Sequence, residues 1–273
     1  MITVNDVINQ LISERSLDTS EVGGLSRQII AQSNVLFSNV LINFESLSSQ
    51  LVHNDRLHPF LQSSALESLR QVLKSRSGQT MTINSAYRTV AQQHLLYQLH
   101  IRDDSLVRRA AKPGFSNHED GLALDINEWD EWKPSLENNG WQWQGLDDRV
   151  HFFFSIGNDE MGKLGVQAFQ SLWNKHNPQD LITVDGDFGD QTAARMGQSP
   201  ANGLTLIGIF RKGDQSSNIR KIRQALVNAG ATIPISDLFD DPMKVAVEAF
   251  QKKQGLAADG IVGSKTLLQL DVR

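Results

Sequence analysis

Between Gly121 and Ile126 the chain alternates in a way that suits only a strand with two unlike faces. Leu122, Leu124 and Ile126 would share one face, and Gly121, Ala123 and Asp125 the other, because successive strand side chains point to opposite sides. The first face is core. The second carries one carboxylate flanked by the smallest side chains, which leaves open space above it for a ligand or substrate. His118 stands just before this strand, and His151 follows later in Asp148-Arg149-Val150-His151. Two ligands from a loop and the strand it feeds, plus one later His, make the three protein ligands of a catalytic zinc site, with the fourth position left for water. Zinc lowers the pKa of that water to about 7, so hydroxide is available at neutral pH. His118, Asp125 and His151 are therefore the expected metal ligands, with Zn2+ the expected ion; the same donors also suit other divalent cations.

Hydrolysis also needs a base. Asp148, three residues before His151, is placed to take a proton from water and pass it to the leaving amine. Residues three apart on a regular strand face opposite sides, so this role requires a bend before His151. Asp147 is the reserve candidate.

The pattern Ser116-x-His118-x-x-Gly121-x-Ala123-x-Asp125, followed by Asp148-x-x-His151, resembles the signature of the zinc D-Ala-D-Ala carboxypeptidases. That group includes vancomycin-resistance dipeptidases and several phage endolysin peptidases, and the resemblance covers roughly residues 59 to 155. A further block, Ser85-Ala86-Tyr87-Arg88-Thr89 with Gln93 after it, is similar to the family's Gly-Tyr-Arg-Ser block and its Gln. The resemblance implies that Arg88 holds the scissile carbonyl or a substrate carboxylate, a role suited to a permanently charged, forked donor. It also implies that Ser116, Tyr87 and Gln93 contribute to binding substrate. The implied reaction is zinc-dependent hydrolysis of peptidoglycan stem peptides, foremost as a D-alanyl-D-alanine carboxypeptidase. Many family carboxypeptidases carry Glu where this chain has Asp148, whereas Asp also occurs among the endolysin-type enzymes. An L-Ala-D-Glu endopeptidase is therefore the alternative, and a non-catalytic wall-binding protein is a third reading. After His151 the run Phe152-Phe153-Phe154 offers no polar group for substrate.

The chain has 273 residues, 40% hydrophobic and 21% charged, enough for one large domain and a small one. No segment approaches the length of a membrane-spanning helix. A net charge of -5 argues against a nucleic-acid partner and gives no pull toward anionic wall polymers, so wall binding would have to be specific. The absence of Cys excludes thiolate metal sites and disulfides. Residues 1–15 lack the basic start and continuous apolar run of a signal peptide. The resemblance nevertheless places the protein in the periplasm or cell wall with peptidoglycan as partner, and a monomer is expected.

Helical spacing appears at Val4, Val7, Ile8, Leu11 and Ile12, at Leu25, Ile29 and Leu36, at Val40, Phe44, Leu47 and Leu51, and from Ala65 to Leu73. The Thr80–Asn84 run is β-prone. Trp129, Trp132, Trp141 and Trp143 surround a short helical piece ending at Asn139-Gly140, and they suit a substrate wall and a core equally. The last strand is expected from His151 to Ile156. Helices first and a small, mostly antiparallel sheet afterwards predict an α+β fold carrying the zinc site. His53, His58, His94 and His100 have no partner at ligand spacing and are read as surface or helix-packing residues.

Beyond residue 160 the chain partly repeats itself. Val166-Gln167-Ala168-Phe169-Gln170 returns as Val247-Glu248-Ala249-Phe250-Gln251, and each is followed by an Asp-Gly block, at Asp185-Gly186 and Asp259-Gly260. The sense is a helix, a tight turn and another helix start. Asp185, Asp187 and Asp190 suggest calcium, but the second copy lacks the extra acids and no closing Glu follows, which favours a turn. The repeat looks like the helical peptidoglycan-binding module found beside wall hydrolases. Its second copy is nearly complete, with Ile219, Ile222 and Leu226 on a first helix; the first is half a module. The expected organisation is a zinc peptidase domain over 1–158, a partial repeat with the linker Ser199–Gly203 over 159–203, and an all-α three-helix binding module over 204–273.

Overall fold

The computed structural model describes residues 2–53, 56–155, 161–205 and 208–272. Ile156 and the expected boundary at 158 lie outside these residues. The chain forms two compact units, 1–203 and 204–273. The first unit runs α1 (Val4–Glu14), α2 (Gly23–Leu36), β1 (Ile42–Asn43), β2 (Leu51–His53), β3 (Phe60–Leu61), α3 (Ser63–Ser75), β4 (Met81–Ser85), α4 (Val90–Arg102), β5 (Ala123–Ile126), α5 (Trp129–Glu137), β6 (Trp141–Trp143), β7 (His151–Phe154), α6 (Met161–His176) and α7 (Asp190–Gln198). The second contains α8 (Ser217–Asn228), α9 (Asp241–Lys253) and α10 (Ser264–Leu270). This is the expected α+β architecture with a helical C-terminal module.

The main sheet has the order β2-β4-β5-β7-β6; β2 and β4 are parallel and the other pairs antiparallel. Leu122, Leu124 and Ile126 point into a core shared with Leu66, Leu69, Val72, Trp132, Trp141 and Phe152. Trp132 and Trp141 are essentially unexposed, and their indole N–H groups donate to Thr80 O and Ser68 Oγ. At ~25 cal/mol per Å2, burying rings of this size contributes on the order of 4–6 kcal/mol each before entropy is counted. Trp129 and Trp143 stack face to face, 5.2 Å apart, at the margin of the same core. All four tryptophans therefore serve the face of the sheet opposite Asp125.

One helical expectation fails. The segment from Val40 to Leu51 is β1, turns and the start of β2, not a helix. The Asn43 side chain accepts from Glu45 N at 2.7 Å, and Ser48 Oγ accepts from Gln50 N at 3.1 Å. Such local bonds offer the backbone a turn in place of helical partners. Phe44, Leu47 and Leu51 still reach the core, so their spacing was a coincidence of turns.

The internal repeat is visible as matching hydrogen bonds. Buried Gln170 donates to Asp185 Oδ1, Asp187 O and Thr192 Oγ1, and accepts from Gly186 N. Gln251 donates to Asp259 Oδ1, Ile261 O and Thr266 Oγ1, and accepts from Gly260 N. The Asp-Gly blocks are thus turns closed by one buried glutamine. The two copies differ in what covers them. Helix α9 packs with α8 and shares a core with α10, whereas α6 lies against α2 and α4, and α7 against α1. Residues 199–203, the expected linker, are fixed to the N-terminal helices: Val4 N donates to Ser199 O and Leu25 N to Ala201 O. In the second unit Arg223 is fully buried, donates to Pro234 O and Leu238 O, and pairs with Asp240.

His94 is buried and His58 half-buried, and desolvation lowers the pKa of each to about 4. His94 is 3% exposed and rests against the Phe188 ring. The unfolded chain protonates such a ring near 6.5 while the folded chain resists until about 4, so stability present above pH 6.5 is lost as pH falls through that window. For His94 the loss is up to about 3 kcal/mol. Urea unfolding of the metal-free protein should show a lower midpoint at pH 5 than at pH 7.5, with a smaller difference in His94→Phe.

Candidate metal centre

Asp125 lies on β5 opposite His151 on β7 and opposite Ser85 on β4. His118 arrives from the loop before β5. Gly121, with φ +65°, lets that loop turn into the strand, and a Cβ there would meet Leu41 Cδ2 at 3.0 Å. His118 Nε2, His151 Nδ1 and Asp125 Oδ1 form a near-equilateral triangle: 3.2 Å between the nitrogens, 3.3 Å from His118 to Asp125 and 3.0 Å from His151 to Asp125. Four-coordinate zinc with bonds of 2.0–2.2 Å separates its ligand atoms by about 3.3–3.5 Å. The three residues expected as ligands therefore meet with the spacing of three corners of such a site, and the cluster can hold a metal ion.

The surroundings orient these donors. His118 Nδ1 lies 2.7 Å from Ala86 O, a contact that requires the proton on Nδ1 and turns a bare Nε2 toward the cluster. Burial lowers the His118 pKa against the pull of Asp125, with Arg88 and His151 adding to the lowering. The Asp125 carboxyl would be raised by burial, but the charge and hydrogen bonds of His118 and His151 outweigh this and hold it well below the usual carboxylate range. The result is a lasting anion beside imidazole lone pairs, the chemistry that a divalent cation neutralises.

Arg88 sits on the neighbouring loop, between β4 and α4. Its backbone N–H donates to His118 O, and its guanidinium donates to Gln93 Oε1 at 3.0 Å and Ser85 Oγ at 3.2 Å. The next residue, Thr89, forms a capping box with Gln92 at the start of α4, which anchors the backbone here. Burial lowers the Arg88 pKa, while Asp125, Glu119 and Asp148 act in the opposite direction. Gln93 is wholly buried, and its other amide end donates to Ala111 O, so its reach extends to Arg88 and not to an open surface. Tyr87 is likewise buried, packed with Ile30, Leu41 and Leu164, with its hydroxyl beside Gly165 of α6. Both residues support the Arg88 loop, and Tyr87 also borders the cavity beside Ser85 and Arg88. Ser116 is buried at the mouth of the His118 loop.

The bend demanded before His151 is present. Leu146–Asp148 is a 3₁₀ turn and Arg149 continues with helical dihedrals, so β7 begins anew at His151. Asp147 and Asp148 are exposed on this turn, and only Asp148 is among the carboxylates that act on Arg88. The Trp143 indole N–H donates to Arg149 O at 2.8 Å and holds the turn against the Trp stack.

Two features escaped the motif. Glu119, next to His118, is 1% exposed and accepts from Gly114 N and Ser116 N, closing the loop on itself. Burial pushes its pKa up to about 8 despite these bonds. The second is the edge strand β6, where the visible alternation Trp141-Gln142-Trp143-Gln144 sends tryptophans to the core and glutamines to the face that carries His151.

Residues 58–156 match the family model of D-alanyl-D-alanine carboxypeptidases (VanY), and residues 215–270 match that of a peptidoglycan binding domain. The chain thus combines a VanY-type domain, which contains the His118–Asp125–His151 cluster, with a peptidoglycan-binding module. It is 31% identical over 87 residues to the N-acetylmuramoyl-L-alanine amidase CwlL of Bacillus licheniformis, covering 30% of this chain and 24% of that protein. It therefore spans about a quarter of the length of this curated relative. Among solved structures, a peptidoglycan-binding protein from Clostridioides difficile is 35% identical, covering 23% of this chain and 40% of that one with a TM-score of 0.23. The SleB N-terminal domain is 25% identical, covering 25% and 94%, with a TM-score of 0.24. Among the described residues no helix is long and apolar enough to cross a membrane.

Proposed function

We propose that this chain is a zinc-dependent peptidase of peptidoglycan stem peptides that removes the terminal D-Ala from D-Ala-D-Ala, held at the wall by residues 204–273. The observation that carries this reading is the triangle of His118 Nε2, Asp125 Oδ1 and His151 Nδ1 beside a fixed guanidinium. Bound zinc would supply a water acidic enough to ionise near neutrality and would polarise the scissile carbonyl. His118, Asp125 and His151 hold the ion. The Asp148 carboxylate accepts the proton from water and returns it to the departing amine. Arg88 offers its charge to the carbonyl oxygen or to the substrate's terminal carboxylate. Gln93, Ser85 and Tyr87 position Arg88, and Ser116 and Glu119 shape the loop that delivers His118.

A cavity of about 280 Å3 borders Ser85 and Arg88, with Asn84 and an Arg56–Asp18 ion pair on its wall, and the Arg88 guanidinium suits the free carboxylate of a leaving D-Ala. The second reading, an endopeptidase acting on intact wall, draws support from Asp148 standing where many of the carboxypeptidases carry Glu. Wall binding by the second unit is supported by its family match, and action on wall material implies an extracytoplasmic location. The test is incubation of the metal-loaded protein with a stem pentapeptide and, separately, with purified sacculi. Release of D-Ala from the free pentapeptide is expected. Products from sacculi alone would replace the carboxypeptidase with the endopeptidase, and no products from either would remove the peptidase.

A further inference from the structure

Pairing across the sheet places four side chains in one row on the metal face. Ser85 on β4 pairs with Asp125 on β5, Asp125 pairs with His151 on β7, and Gln144 at the end of β6 donates its backbone N–H to His151 O. A second row follows one pleat away: Ala123, Phe153 and Gln142. Residues directly opposite on antiparallel strands keep their Cβ atoms about 5 Å apart on the same face, so Gln144 flanks the ligand His151. Both glutamines are exposed, Phe153 is half-buried, and neither glutamine side chain has a hydrogen-bond partner among the described residues.

The row is chemically asymmetric. Its β4 end holds the Arg88 cation against Ser85, and its β6 end presents the uncharged amides of Gln142 and Gln144 before the turn that carries Asp148. Strands lie about 4.8 Å apart, so β6 is about 10 Å from β5, the length of roughly three extended residues. A peptide whose scissile carbonyl lies over Asp125 and whose C-terminal side lies toward Arg88 would carry its upstream residues over Phe153 to Gln142 and Gln144. Each amide side chain can both donate and accept, which matches the N–H and C=O of a peptide unit.

We propose that Gln144, aided by Gln142, is a specificity-determining residue that hydrogen-bonds the substrate backbone two to three residues upstream of the scissile bond. This assignment rests on the peptidase reading above. It replaces the polar groups that Phe152–Phe154 cannot supply, and it makes productive binding depend on peptide length. The probes are a stem pentapeptide ending in D-Ala-D-Ala and the short acetyl-D-Ala-D-Ala, each assayed with wild type, Gln144→Ala and Gln144→Asn. One lost hydrogen bond corresponds to a change of about three- to tenfold. Gln144→Ala should raise KM for the pentapeptide by that factor, leave kcat within about twofold, and leave kcat/KM for the short peptide unchanged, with partial recovery in Gln144→Asn. Equal losses on both peptides would reduce Gln144 to a prop for His151, and no loss on either would remove its role; both results overturn the proposal while the peptidase reading stands. Failure of wild type to turn over either peptide overturns the carboxypeptidase reading and this proposal together.

Discussion

Asp148→Ala should keep its metal and lose hydrolysis by about 10²–10⁴-fold, the range that a positioned general acid–base group supplies. Asp147→Ala should stay within a few-fold of wild type. The two carboxylates share an exposed 3₁₀ turn, but of the two only the Asp148 charge acts on Arg88. Metal content by elemental analysis separates the possible outcomes. A dead Asp148→Ala with full metal assigns the proton transfer to Asp148, and a dead variant without metal would make this residue part of ion binding instead. Equal activity in both single variants would mean that the acids substitute for one another, and the double variant would then show the full loss. Binding to purified wall should be unchanged throughout, because the module at 204–273 folds around its own core of Ile219, Ile222, Phe239, Met243 and Val247.

The ligand cluster was legible because it depends on short-range rules. Alternation from Leu122 to Ile126 settles which way Asp125 faces, and both histidines lie in motifs that fix spacing along the chain. The bend at Asp148 was deducible as a requirement but not as a shape, since a 3₁₀ turn leaves little signature in Gly145-Leu146-Asp147-Asp148. Burial was the hidden quantity elsewhere. Tyr87 and Gln93 were recognisable by type and spacing, yet whether a side chain faces a ligand or props its neighbour depends on what packs over it, here α6 and the loop at Ala111. The same holds for Glu119, which reads as one more acid until the backbone N–H groups of Gly114 and Ser116 are found around it.

The repeat illustrates a related limit. Its residues announced two copies of one turn, and the glutamine bonds agree atom for atom. What the pattern could not convey is that the first copy leans on α1, α2 and α4 while the second leans on α8. Packing partners distant in sequence leave no periodic trace, and a half-module looks incomplete until they are seen. The Val40–Leu51 segment failed in the opposite sense: a helical period was present, but Asn43 and Ser48 spent their side chains on turns.

His118→Ala should lose both bound metal and hydrolysis, and the metal-free wild type should be measurably less stable than the loaded form. Three electron-rich atoms held about 3 Å apart repel one another unless a proton or a cation lies between them, and Asp125 is held anionic across the working pH range. A metal that binds only the folded state adds RT ln(1 + [L]/Kd), about 4 kcal/mol at a thousandfold excess over Kd. Thermal unfolding of wild type with and without a chelator should therefore differ by several degrees in the first unit. In His118→Ala that difference should vanish, because one corner of the triangle is gone and the loss exceeds the ~10–100-fold that outer-shell changes cost. The second unit, which contains no part of the triangle, should unfold at the same temperature in all four samples. A chelator shift that survives in His118→Ala would show that the ion sits elsewhere, and absence of any shift in wild type would show that the triangle holds no metal under the conditions of the assay.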